Sequence, residues 1–465
     1  MSDDATTLWS TLREALRGTT QDLTAIPIRR AVLLLAVPTV LEMSMESILT
    51  VVDIFFVSRL GSSAIATVGL TESMLSPVYA LAMGLAAAAT AVIARRAGEK
   101  DANGAAVAAV QVVVVAFALA TALGVAGAIA SPRLLALMGA DAEVVSSGSS
   151  YTALMYGGNA TIFLLFVVNA IFRAVGDAAV AMRALWVANI VNMVLAPCFI
   201  FGLGPIPAMG VFGAAVAMNV GRGIGVLYQG SVVLRRRGHL AVARRHLALR
   251  FGLMRELVKL ATPAAGQVLI ETASWLGLVR IISTYGSSAV AGYTIAMRVA
   301  IFALLPSWGL AQAASALVGQ NLGSRSPDRA RRSVWTIARY NAVFLAPVAA
   351  LFVIAPGALV GLFASDPAVV VYAVDCLRIV AVGFVVFSFG MVAIQAFNGA
   401  GDTTTPMVVN LASFWLFKLP CALVLAKVLG MGPRGVFLAI TAAYTVQSVA
   451  AGLLFRRGGW EKKTV

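Results

Sequence analysis

The chain has 465 residues, of which 60% are hydrophobic and only 12% charged, and a mean hydropathy of +0.91, far from the roughly 25% charged content of soluble domains. These values exclude a water-soluble fold, and about twelve spans of about 20 apolar residues each leave no room for a separate soluble domain. The net charge of +15 does not mark a nucleic-acid binder, because its placement along the chain reads as a topology signal.

Residues 1–27 form a polar N-terminal tail in which Leu8, Trp9, Leu12 and Leu16 recur around Arg13, Glu14 and Arg17, the pattern of a short interfacial helix. Apolar spans are then predicted at 30–57, 66–94, 104–130, 145–171, 179–203, 210–234, 256–284, 288–318, 330–355, 368–397, 406–429 and 435–455. They divide the chain into an N-lobe (28–234, helices 1–6), a basic linker (235–255), a C-lobe (256–457, helices 7–12) and a C-terminal tail (458–465). Twenty-four Lys and Arg residues lie in or beside the two tails and the loops near 96, 177, 245 and 325, against only Arg59, Arg133 and Arg434 in the alternate loops. By the positive-inside rule both termini are expected in the cytoplasm. His239 and His246, among the linker arginines, read as part of a solvated basic face. Cys198, Cys376 and Cys421 each lie in an apolar stretch, which argues for buried small hydrophobes rather than a disulfide framework or metal site.

The two halves match at one constant spacing of 225 residues. That shift pairs Pro38 with Pro263, Glu46 with Glu271, Gly61-Ser62-Ser63-Ala64 with Gly286-Ser287-Ser288-Ala289, and Gly84 with Gly309. It also pairs Gly98 with Gly323, Asp141 with Asp366, Gly176-Asp177 with Gly401-Asp402, and Gly210-Val211-Phe212 with Gly435-Val436-Phe437. Each half holds an even number of helices, so the repeats run parallel about an axis along the membrane normal. The expectation is an all-α integral membrane protein of twelve transmembrane helices in two six-helix lobes related by pseudo-two-fold symmetry, with the substrate path between them. Pro38 and Pro263 fall inside matching helices, where proline favours a kink.

Ionisable side chains inside a bilayer need a partner or a water-filled cavity. Helix 1 carries Glu42, Glu46 and Asp53, which at 100° per residue share one stripe about 40° wide. In helix 7, Gln267 and Glu271 hold the positions of Glu42 and Glu46, so two polar stripes are expected to face a common, acidic cleft. Burial and like-charge neighbours disfavour carboxylate ionisation, which is the chemistry a proton-coupled carrier uses. The alternative role is that of counter-ion to Arg222, Arg298 or Lys418 in helices 6, 8 and 11, and Glu72 shares that ambiguity. Asn189 and Asn192 of helix 5 are candidates to line the cavity or to bond between helices. No Gly-x-x-x-x-Gly-Lys-Ser/Thr run occurs, so a secondary transporter is expected, not an ATP-driven one or an enzyme.

From about residue 28 to 455 the chain resembles the MATE (multidrug and toxic compound extrusion) family. The resemblance rests on Pro38 followed by Val52-Asp53 and Val57-Ser58-Arg59-Leu60-Gly61, on Pro263 followed by Glu271, and on the turns Arg173-Ala174-Val175-Gly176-Asp177 and Asn398-Gly399-Ala400-Gly401-Asp402. It implies a V-shaped pair of lobes, alternating access, and export of bulky, often cationic xenobiotics in exchange for H+ or Na+. By that match Asp53 takes the place of the family's helix 1 cation-site aspartate, Asn192 that of a helix 5 asparagine in the DinF-like branch, and Glu271 that of the helix 7 carboxylate in the NorM-like branch. Ala196 and Phe387 stand where those branches have further aspartates.

The expected ion or proton coupling set is therefore Asp53, Glu46 and Asn192, and the expected cavity set Glu271, Glu42, Gln267, Asn189 and Arg298, with H+ favoured over Na+ and no cofactor. Small-molecule xenobiotics and membrane lipids are the expected partners, with no nucleic acid, for a monomer in the cell membrane. The alternative is a flippase for a lipid-linked glycan of the same superfamily.

Overall fold

The structure, a computed structural model, describes residues 2–19, 21–204, 206–235 and 242–464, and no strand occurs among them. The helix α1 (Ser2–Arg17) precedes the first half, α2 (Ile28–Ser58), α3 (Ser62–Gly98), α4 (Ala102–Leu137), α5 (Ala142–Gly157), α6 (Asn159–Ala174), α7 (Ala178–Phe201) and α8 (Gly210–Leu234). The second half comprises α9 (Phe251–Ile282), α10 (Ser287–Gly323), α11 (Pro327–Ile354), the short α12 (Pro356–Val360), α13 (Pro367–Val382) and α14 (Phe384–Ala400). Its last two spans are Thr404–Val428, in which α15 (Thr404–Asn410) and α16 (Leu419–Leu423) alternate with π-helical stretches, and α17 (Pro433–Arg456). Among the described residues eleven segments are long and apolar enough to cross a membrane, α5 and α6 counting as one. The twelfth is α13 and α14 together, bent by 59°. The span predicted at 368–397 is thus a broken one, the break falling at Gly383. Pro38 and Pro263 lie inside uninterrupted helices, and beside Pro38 the Thr39 hydroxyl donates to the carbonyls of Leu35 and Ala36, 3.0 Å each.

Several residues matched by the repeat are structural punctuation. Asp141 and Asp366 cap α5 and α13 by accepting the amides of Val144 (2.8 Å) and Ala368 (2.9 Å), each cap contributing about 1 kcal/mol. Gly61 and Gly286 start α3 and α10 at φ of +97° and +102°, a conformation costly to any side chain with a Cβ.

Two further glycine pairs of the repeat join the halves. A Cβ on Gly84 of α3 would stand 2.6 Å from the Ala261 carbonyl of α9, and one on its mate Gly309 of α10 would stand 2.5 Å from the Thr39 carbonyl of α2. Further along, Gly98 lies against the Gln320 carbonyl and Gly323 against the Arg95 carbonyl, again a pair related by the shift of 225. The pseudo-two-fold axis therefore passes between α3 and α10 at the end of the molecule that carries the basic loops. Backbone-to-backbone approach of this kind is how helices associate where no hydrophobic effect drives them together.

The tails also close on this end. Thr11 and Ala15 of α1 are buried, while Leu8, Trp9 and Leu16 point outward, the amphipathic arrangement expected of an interfacial helix. Burial pushes the Glu14 carboxyl up, but hydrogen bonds from Arg30 (2.7 Å) and Thr19 (2.7 Å) outweigh it and hold the group below its ordinary value. His246 corrects the solvated-face reading. It is buried, and its Nδ1 accepts the Ala243 amide at 3.1 Å, which fixes the short 3-10 turn Arg244–Leu247. His239 lies outside the described residues.

Candidate functional site

Beyond the glycine contacts a cavity of about 700 Å³ lies between the lobes, lined by residues of both. Its charged lining consists of Glu42, Glu46, Arg173 and Arg222 from the first half and Glu271 and Lys418 from the second. Three carboxylates face three cations, so the acidic cleft expected from the α2 stripe is instead balanced in charge. The difference comes from Arg173: α6 runs on to Ala174, past the predicted span end at 171, and carries this arginine into the lobe.

In the N-lobe, Glu42 is 1% exposed and pairs with Arg173 at 2.7 Å, while Asn169 donates to the same oxygen at 2.8 Å. Its counter-ion is thus neither Arg222, Arg298 nor Lys418. Glu46 accepts a bond from Asn189 Nδ2 at 3.2 Å, and Asn192 Nδ2 reaches both Asp53 oxygens at 3.4 and 3.5 Å, the outer limit of a hydrogen bond. The α2 stripe is thus held by α6 and α7 of its own lobe; Glu42 and Glu46 reach the cavity wall, while Asp53 and Asn192 are not part of the cavity lining. Arg222 of α8 donates to the Tyr79 hydroxyl at 3.0 Å.

In the C-lobe, Gln267 donates to Asn398 Oδ1 (3.0 Å) and to the Thr403 carbonyl (2.9 Å). Glu271 accepts from the Tyr444 hydroxyl at 3.1 Å. Lys418, 3% exposed, places its Nζ 4.3 Å from the centre of the Phe414 ring and 5.8 Å from that of Tyr444. Phe387, where the resemblance leads to an aspartate, packs its ring 4.4 Å from Tyr444. Arg298 does not line the cavity: its side chain lies exposed on α10, within electrostatic reach of Glu72 on α3 of the other lobe.

The repeat organises these contacts. The ion pair Glu42–Arg173 becomes, 225 residues on, the amide pair Gln267–Asn398. Trp186 Nε1 donates to the Leu41 carbonyl and Trp415 Nε1 to that of Ile270, both at 3.1 Å and both at a spacing of 229. The second half makes this contact one helical turn further from the basic end. With the same offset Lys418 stands where Asn189 does, beside Glu271 and Glu46 respectively, and it ends the π-helical stretch Leu411–Lys418. Sequence reasoning missed Arg173, Tyr79 and Tyr444 as site residues. The signal for Arg173 was available, since the repeat pairs it with Asn398 immediately before each Gly-Asp turn.

The MatE family profile matches residues 38–198 and 263–424. A probable multidrug resistance protein NorM of Thermotoga maritima is 25% identical over 447 residues, covering 94% of each chain. A protein of Shewanella oneidensis named as an FAD transporter is 25% identical over 445 residues, covering 94% of this chain and 96% of its own. Among solved structures, an outward-facing multidrug resistance MATE family transporter of the MOP superfamily superposes with a TM-score of 0.89 at 25% identity, over 96% of this chain and all of the other.

Proposed function

The chain belongs to the MatE family, and on that premise we propose that it is a secondary active antiporter exporting bulky small molecules across the cell membrane by alternating access of its two lobes. The observation that carries the reading is the cavity of about 700 Å³ between repeats that touch backbone to backbone at one end. With the termini and basic loops on the cytoplasmic side, that contact is the cytoplasmic seal. Rocking the lobes about the α3–α10 crossing exposes the cavity to each side in turn.

Coupling is assigned to the N-lobe. Asp53 and Glu46, steadied by Asn192 and Asn189, exchange protons, and Glu271 serves the cargo side with Gln267 next to it. Glu42 is assigned to structure through Arg173. Protons are favoured over Na+ because a hard cation is held by a shell of several oxygen ligands, whereas among the described residues Asp53 is met by a single amide nitrogen donor. Transport in proteoliposomes under a pH gradient alone, then under a sodium gradient alone, tests this: drive by sodium with none from pH removes the proton assignment. A flippase for a lipid-linked glycan remains the second reading, favoured by Arg173, Arg222 and Lys418 on the cavity wall. Scrambling of a fluorescent phospholipid-linked sugar in the same vesicles, without any gradient, separates it from antiport.

A further inference from the structure

We infer that the cargo carries an anionic group, a carboxylate, phosphate or sulfonate on an aromatic body, and that Lys418 and Arg222 receive it. The inference rests on the export reading above and names its substrate class.

Lys418 is the first reason. Its ammonium has three donors, it is 3% exposed, and among the described residues no acceptor bonds it. It faces the rings of Phe414 and Tyr444 instead. A cage of aromatic faces is the usual receptor for an organic cation. Here a tethered ammonium already fills it, and a second cation entering would meet like charge in a medium that screens poorly.

Arg222 repeats the situation in the other lobe. Its fork gives one bond to Tyr79 at 3.0 Å, while Nη1 is buried on the cavity wall with no hydrogen-bond partner among the described residues. A guanidinium presents five donors in a plane suited to the two oxygens of a carboxylate or phosphate. The carboxylates are by contrast engaged: Glu46 by Asn189, Glu271 by Tyr444, and Glu42 by Arg173. One oxygen of Glu42 lacks a bond, but the neighbouring guanidinium compensates its charge. Lys418 and Arg222 are thus the cavity cations with donors to spare, each balanced only at a distance, Lys418 by Glu271 and Arg222 by Glu46 and Asp53. Trp275, Trp308 and Phe387 on the same wall supply flat apolar surface for the rest of the molecule.

Fluorescence anisotropy on the full-length protein in nanodiscs, with two xanthene dyes of one ring skeleton, tests the charge. One dye carries a free carboxylate and the other is an esterified cation. The anion is expected to bind at least tenfold more tightly than the cation. Lys418→Gln and Arg222→Gln, in different lobes, should each weaken it tenfold or more, while Lys418→Arg retains it; if one Gln variant does not fold, the other decides. Phosphatidylglycerol added to the nanodiscs identifies the source of the anion: competition points to a lipid headgroup, and its absence to a water-soluble compound. Equal or tighter binding of the cation, binding of neither dye, or unchanged anion affinity in the Gln variants overturns the proposal. Anion binding without gradient-driven movement would sink the export reading and leave this one standing.

Discussion

The carboxylate of Glu42 and the guanidinium of Arg173 meet at 2.7 Å inside the N-lobe, with 1% and 9% of their side chains exposed. The same positions of the C-lobe, Gln267 and Asn398, are joined by a neutral amide bond of 3.0 Å. Breaking a buried ion pair by removing one partner costs about 3–5 kcal/mol, because the other charge is left uncompensated. Glu42→Gln and Arg173→Asn should therefore each lower the unfolding temperature in detergent markedly. The double variant, which installs the C-lobe pair in the N-lobe, should recover most of the loss. A double variant as unstable as the sum of the singles would show that the two residues do not act as a pair.

The glycines at the seal give a conformational prediction. At Gly98 and Gly323 the neighbours a Cβ would meet are backbone atoms of Gln320 and Arg95, which cannot rotate away. Gly98→Ala or Gly323→Ala forces α3 and α10 apart at the basic end, so the substitution should populate a form open on that side. Double electron–electron resonance between labels at the starts of α4 and α11 should gain a longer distance, in a background where Cys198, Cys376 and Cys421 are replaced. An unaltered distance distribution counts against the seal.

The tails add to that closure across the two halves. Arg95 of α3 donates to the Lys463 carbonyl at 2.5 Å while Lys463 Nζ lies 3.4 Å from Asp402, so the C-terminal tail bridges the lobes. From the other side, Arg329 of α11 binds the carbonyls of Leu23 and Ile26 in the N-terminal tail. Truncation after Gly458 is expected to raise hydrogen exchange around residues 95–101 and 398–403 without lowering protection in α4 or α13. Exchange that stays the same at both places would mean that the tail rests on the seal without holding it.

Much of this organisation was legible in the sequence because it is periodic. The shift of 225 pairs Asp141 with Asp366, Gly84 with Gly309, Gly98 with Gly323 and Glu46 with Glu271, and these residues are the helix caps, the sealing glycines and two of the cavity carboxylates. What stayed illegible depended on reach or on a change of register. Arg173 sits just past an apolar span and reads as a loop residue, until α6 continues through it. Lys418 and Asn189 occupy comparable places at a spacing of 229, so a search at a single spacing separates them. Arg298 has the right depth but the wrong azimuth, and small differences in helix rotation are not encoded in hydropathy.

Asp53 yields the sharpest test of coupling. Among the described residues its two oxygens are hydrogen-bonded by Asn192 alone, at 3.4 and 3.5 Å, while Glu46, Glu72 and Arg222 lie within electrostatic reach. No ion pair of 4.0 Å or less involves it among the described residues. A carboxylate held this loosely can lose and regain a proton without first breaking a strong bond, which Glu42, clamped by Arg173, cannot do. Asp53→Asn keeps the shape and the contact with Asn192 but removes the exchangeable proton. It should abolish gradient-driven efflux and the resistance conferred on a susceptible host, at unchanged expression and unchanged cargo affinity. Glu42→Gln in the Arg173→Asn background should by contrast leave gradient-driven efflux within about threefold of wild type, a difference of less than ~1 kcal/mol. Full resistance from the Asp53→Asn protein would remove Asp53 from the coupling machinery, and loss of efflux in the Glu42/Arg173 double variant would return Glu42 to it.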